Sequence, residues 1–116
     1  MPTVFNTGSG NWQATTTWNP AVVPTAADNV VLNFSANGAN YQVGLDGTGT
    51  ALNLTVLDHN TLNIFNSSSP FGGQLTIGQL LLIGSGGTVS GIGDLFAHSI
   101  QNGGTIKGTA LSTIFT

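Results

Sequence analysis

The chain has no cysteine, one cationic side chain (Lys107) and four acidic ones, Asp28, Asp46, Asp58 and Asp94. Without cysteine there is neither a disulfide framework nor a thiolate metal site. One lysine and no arginine cannot neutralise a phosphate backbone, which excludes nucleic acid as a partner, and the same shortage argues against docking on anionic lipid. No apolar run approaches the roughly 20 residues of a membrane span, so membrane insertion is not expected. The opening Met-Pro-Thr-Val-Phe-Asn lacks the basic and apolar regions of a signal peptide. The expectation is a segment excised from a longer exported protein, a reading also suggested by the strand-like ending at Ser112–Thr116.

Charged residues make up 4% of the chain, against roughly 25% in ordinary globular domains. The polar surface must therefore consist of Thr, Asn, Ser and Gln, with glycine at the corners. An apolar content of 40% and a net charge of −3 are not the composition of a disordered chain. At 116 residues, one modest domain is expected.

The most informative positive feature is an internal near-repeat. Ile83-Gly-Ser-Gly-Gly-Thr-Val-Ser-Gly91 and Ile100-Gln-Asn-Gly-Gly-Thr-Ile-Lys-Gly108 lie 17 residues apart and agree at six of nine positions, counting apolar-for-apolar matches. Each reads as a short strand, a Gly-Gly turn and a second strand. A unit that small cannot bury its own apolar face, so copies must pack on one another. Residues 28–116 break into short alternating runs bounded by Gly, Asn, Asp and Ser, which are strand signals. The expected inward residues are Val56, Leu62, Ile64, Leu75, Ile77, Leu81, Ile83, Val89, Ile100 and Ile106. Asn53, Thr55, Asn63, Thr76, Ser90 and Lys107 are expected to point outward, with a loop at 66–73. The architecture this predicts is all-β: a parallel β-helix, or β-solenoid, of roughly four to five short coils over residues 28–116.

Residues 1–27 differ in composition. They hold Trp12, Trp18 and three of the four prolines, Pro2, Pro20 and Pro24. Such a segment suits an N-terminal cap, with Trp12, Trp18, Pro20 and Pro24 covering the first coil and each indole N–H reaching a carbonyl. At the other end, Leu111, Ile114 and Phe115 mark an exposed strand edge expected to mediate self-association.

The segment from Gly10-Asn11-Trp12 through Trp18-Asn19-Pro20-Ala21-Val22-Val23-Pro24 to Asp28-Asn29-Val30-Val31-Leu32 resembles the opening of large bacterial surface proteins. The Gly-Gly-Thr-Val-Ser-Gly91 and Asn-Gly-Gly-Thr-Ile-Lys-Gly108 units resemble the repeats of autotransporter passengers and filamentous-haemagglutinin-type adhesins. That resemblance implies a parallel β-helix displayed outside the cell or on the bacterial surface. It carries no catalytic or ligand residue onto this sequence.

Candidate chemistry is sparse. Asp58-His59 and Asp94…His98 could act as general bases or metal ligands only with a third group, and adjacent strand residues point to opposite faces. His59 is expected in the turn between Val56 and Leu62, and His98 on the rung of Leu81 as a partly buried residue. No two carboxylates share a short loop for calcium, and Asp28 and Asp46 fit turns in which they bond local backbone. Sugar cleavage needs paired carboxylates flanking a bond. The recurring Thr55, Thr61, Thr76, Thr88 and Thr105 form no clean Thr-x-Thr array for ice. Asn33-Phe34-Ser35, Asn53-Leu54-Thr55 and Asn66-Ser67-Ser68 match the glycosylation sequon, as an Asn/Ser/Thr-rich chain does by chance.

The sequence therefore predicts a non-enzymatic structural or adhesive module with no cofactor and no metal. Its expected partners are copies of itself, end to end through open β-edges, or other surface proteins. The alternative is a carbohydrate-binding module or a piece of a sugar-active enzyme, with Tyr41 and Phe71 as glycan contacts among the aromatics Tyr41, Phe65, Phe71 and Phe96.

Overall fold

The computed structural model describes residues 3–36 and 38–115, with side chains described up to residue 108. The strands are β1 (Thr3–Asn6), β2 (Gly10–Asn11), β3 (Trp18–Asn19), β4 (Asn29–Leu32), β5 (Tyr41–Asp46), β6 (Thr48–Ala51), β7 (Asn53–Val56), β8 (Asn60–Phe65), β9 (Gly73–Ile83), β10 (Thr88–Asn102) and β11 (Thr105–Phe115). One 3-10 turn, Thr15–Thr17, precedes β3. Among the described residues no helix is long and apolar enough to cross a membrane.

All eleven strands belong to one sheet, in the order β2-β5-β8-β10-β9-β7-β4-β1-β3, with β11 added to β10 and β6 added to β9. Most neighbours run parallel, but β1 and β3 are antiparallel, with Phe5 opposite Asn19 and Asn6 opposite Trp18. The two near-repeats do pair side by side, Thr88 with Thr105 and Val89 with Ile106.

The expected β-solenoid of four to five short coils is corrected by this arrangement: the sheet is mixed and curls into a half-barrel. Three facts exclude a regular stack of coils. The step between paired positions changes along the chain, from Asn29 to Asn53, Leu54 to Leu81, Leu81 to Ile100 and Thr88 to Thr105. Runs that read as separate strands are continuous: Gln74–Ile77 and Leu80–Ile83 both lie in β9, and Thr88–Ser90 and Ala97–Ile100 both lie in β10. Strands also occur within the first 27 residues, where β1 joins β4 in the same sheet.

Geometry demands the curl. The fifteen residues of β10 would span about 50 Å if straight, at about 3.3 Å per residue, yet the longest dimension of the molecule is 33 Å. β10 bends where its partner changes, pairing with β8 through Thr88–Gly91 and with β9 from Gly93 onward. Gly91 and Gly93 supply the bend at φ 129° and 133°, a region that side chains with a Cβ rarely enter. A second register shift falls between Ala97 and Ser99.

Curling brings the inward residues of all these strands into one core. Leu32, Leu45, Leu54, Val56, Leu62, Ile64, Leu75, Ile77, Leu81, Ile83 and Leu95 are essentially inaccessible, and Ile100 and Ile106 pack against them half-buried. Each such side chain contributes about 1.5–3 kcal/mol relative to remaining exposed. Asn53, Thr55, Asn63, Thr76 and Ser90 are half-buried on the outer face, and Lys107 is exposed. The alternation that the sequence predicted is thus carried by the sheet that forms.

Trp12 and Trp18 are also buried, meeting edge to face with ring centroids 5.2 Å apart. The Trp18 indole donates to the Trp12 carbonyl at 2.8 Å, whereas the Trp12 indole N–H is buried against Gly49 without an acceptor. An unpaired buried donor costs about 1–3 kcal/mol. Trp12→Phe removes that burden along with ring volume, whereas Trp18→Phe removes a satisfied bond. Urea unfolding is expected to show Trp12→Phe less destabilising than Trp18→Phe by about 1–3 kcal/mol; equal losses would refute this account of the pair.

Candidate functional site

One open groove of about 350 Å³ on the described surface is lined by Asn11, Gln13, Ala14 and Asp46. The chain reaches it through β2, whose Asn11 lies beside Gly44 of β5, and through the corner between β5 and β6, where the backbone bends at Gly47 with φ 94°. The Gln13 side chain crosses this corner and donates to the carbonyl of Asp46 at 2.7 Å and, at 3.5 Å, to that of Thr48.

Asp46 faces the other way with its carboxylate. It accepts the Ser67 backbone N–H and the Ser67 hydroxyl, each at 2.7 Å. These bonds, first the backbone one and then the hydroxyl, hold the carboxyl below its ordinary value of 3.8, so Asp46 is a carboxylate throughout the neutral range. It clasps the loop of residues 66–72, in which Asn66 Oδ1 accepts the Ser68 N–H and Ser69 Oγ the Phe71 N–H. The sequence placed Asp46 in a turn bonding local backbone; its partner is 21 residues away. Asp28 does make the expected local turn, accepting the Thr25 N–H at 2.8 Å.

Phe71 stands 86% exposed on this loop. Tyr41, the other expected glycan contact, starts β5, whereas Asp46 ends it. Its ring packs edge to face on Phe34 at 4.8 Å and its hydroxyl donates to the Ala36 carbonyl. Tyr41 and Phe71 therefore belong to different ends of β5 and do not form one platform. Phe65 covers Gly44, and Phe96 is half-buried in β10.

The histidines are apart. His59 takes φ 67° in the turn before β8, and this left-handed conformation brings it to Asp58, contrary to the opposite-face expectation for a strand. Its Nε2 lies 3.5 Å from Asp58 Oδ2 and its Nδ1 3.2 Å from Asn40 Oδ1. His98 is exposed at the register shift of β10 and does not occupy the rung of Leu81, which pairs with Ile100. Among the described residues no three His, Asp, Glu or Cys side chains gather to hold a metal ion.

Of the other expected site residues, Trp12 and Trp18 are core and Pro20 and Pro24 flank the segment that follows β3. Leu111, Ile114 and Phe115 lie on β11, in register with Gly93, Phe96 and Ala97; their side chains fall outside the described residues. The sequence reasoning overlooked Asn11 and Gln13 as groove residues, and no local motif marks them. What the groove offers is the amide side chains of Asn11 and Gln13, a set suited to hydrogen bonding a neutral polar surface. No family model, curated protein or solved structure matches the chain.

Proposed function

We propose that this chain is a structural or adhesive module of a bacterial cell-surface or extracellular-matrix protein, joining its partners by strand addition at an open sheet edge. The observation that carries the reading is β11: eleven residues long, it pairs with β10 alone among the described strands. An edge of that length presents a row of unpaired N–H and C=O groups, and strand addition uses such groups for affinity. Low charge favours the same mode, because little electrostatic repulsion opposes close approach.

A second reading, carbohydrate binding, is favoured by one observation, the exposed Phe71 on a loop anchored by Asp46. An aromatic face of that kind can stack on a sugar ring. Sedimentation velocity and a glycan array on the purified chain separate the two. Concentration-dependent association with no glycan signal is the expected result; a monomer that binds selected glycans would overturn the adhesive reading.

A further inference from the structure

We propose that β11 pairs with the β11 of a second copy, antiparallel about a two-fold axis, so that edge association stops at a dimer. This rests on the strand-addition reading above and adds the identity of the partner strand.

The argument comes from the other edges. A filament needs two complementary edges, one accepting what the other offers, whereas an isologous pair needs only one. β2 and β3, the ends of the strand order, are two residues long each. The Asn11 carbonyl of β2 is taken by the Thr17 hydroxyl at 2.7 Å and by the Ala14 N–H at 3.1 Å. Pro20, directly after β3, has no N–H to offer. β6 is four residues long, and the Gln13 amide bonds the carbonyls of Asp46, which ends β5, and of Thr48, which begins β6. Short strands and covering side chains are the usual devices by which proteins block edge pairing. The N-terminal edges carry them, whereas β11 runs for eleven residues.

β11 itself suits self-pairing. Its register on β10 shifts between Lys107 and Ala110, leaving Ala110–Phe115 as a regular stretch of six residues paired with Ile92–Ala97. That stretch, Ala-Leu-Ser-Thr-Ile-Phe, has no charge, proline or glycine, the composition that favours strand pairing. When two such stretches run antiparallel about their middle, the Lys107 of each copy falls outside the paired segment, so no like charges face each other.

The absence of cysteine supplies the test. Single cysteines are placed in turn from Ala110→Cys to Phe115→Cys, with Thr48→Cys on β6 as the control, and each variant is oxidised with copper phenanthroline. The expected result is a covalent dimer that peaks at one position of β11 and is missing for Thr48→Cys. Sedimentation equilibrium of the unmodified chain should fit monomer and dimer. Ser112→Lys, in register with the half-exposed Asp94, should weaken association at least tenfold while leaving the circular dichroism unchanged. A strict monomer at every concentration would overturn both the dimer and strand addition to itself. Species beyond the dimer, or cross-linking through Thr48→Cys, would overturn the two-fold pairing and leave edge association standing.

Discussion

Gly93→Ala is expected to destabilise the protein by about 3 kcal/mol or more, enough to leave much of it unfolded at 37 °C. Two independent costs combine there. The backbone at φ 133° disfavours any residue with a Cβ. A Cβ on Gly93 would also run into the Gly73 carbonyl oxygen, with the Gly73 nitrogen at 2.7 Å and carbon at 2.8 Å. These are backbone atoms of the paired strand, so no flexible side chain can yield. Relief would require moving β10 away from β9 at the bend that curls the sheet. Gly78→Ala in β9 is the control. Its φ is ordinary and its nearest neighbour is the Leu52 side chain at 3.4 Å, so a change within about 0.5 kcal/mol is expected. Denaturant midpoints for the two variants check the contrast. Similar stability for both would mean that the Gly93 bend does not hold the sheet in its curl.

That bend also explains why the architecture was only partly legible. The inward positions Val56, Leu62, Ile64, Leu75 and Ile77 followed from two-residue alternation, because a pleated strand with one buried face leaves no other choice. Pairing of Thr88 with Thr105 followed from the 17-residue repeat. Glycine misled. In Gly91-Ile92-Gly93 and at Gly78 it reads as a strand terminator, yet both strands run through it, and at Gly91 and Gly93 it lets β10 turn a corner and change partners. Long bent strands therefore looked like several short ones, and a regular winding followed from that error. The antiparallel contact of β1 with β3 was hidden for another reason: each of its strands is four residues or fewer, too short for alternation to register.

The groove was less legible than the core. Asp46, Asn11 and Gln13 meet through contacts 33–35 residues apart, and nothing local in Gln13 signals a side chain that bonds distant carbonyls. Asp58 and His59 misled through conformation, since the alternation rule applies to strands and His59 sits in a left-handed turn. What the sequence shows of β11 is its composition, since the run Ala110–Phe115 carries no charge, glycine or proline. Which other edges are covered was not legible, because Thr17, Ala14 and Gln13 bond them through contacts that composition does not reveal.

Asn6→Ala is expected to cost about 3–5 kcal/mol, as much as emptying a core position, although asparagine looks dispensable in so amide-rich a chain. Asn6 is 4% exposed at the end of β1, and its side chain is the hub of a buried network. Its oxygen accepts the N–H groups of Asn33 at 2.9 Å and Phe34 at 3.0 Å. Its amide donates to the Gly8 carbonyl at 3.2 Å and to Asn60 Oδ1 at 2.9 Å. Asn60, 1% exposed, passes the connection on to the carbonyls of Phe34 and Asp58. Truncation strands two backbone donors and two acceptors where water has little access, each costing about 1–3 kcal/mol if left unmade. Asn6→Asp tests the polarity of the hub, because a carboxylate can still accept both N–H groups but turns an acceptor toward Gly8 and Asn60. It should unfold more easily at neutral pH and recover as the solution is acidified and the group becomes a donor. Urea melts of both variants at pH 7 and pH 4 would decide it. A loss below about 1 kcal/mol for Asn6→Ala would mean that solvent reaches this network and that the turns around β1 are held by packing alone.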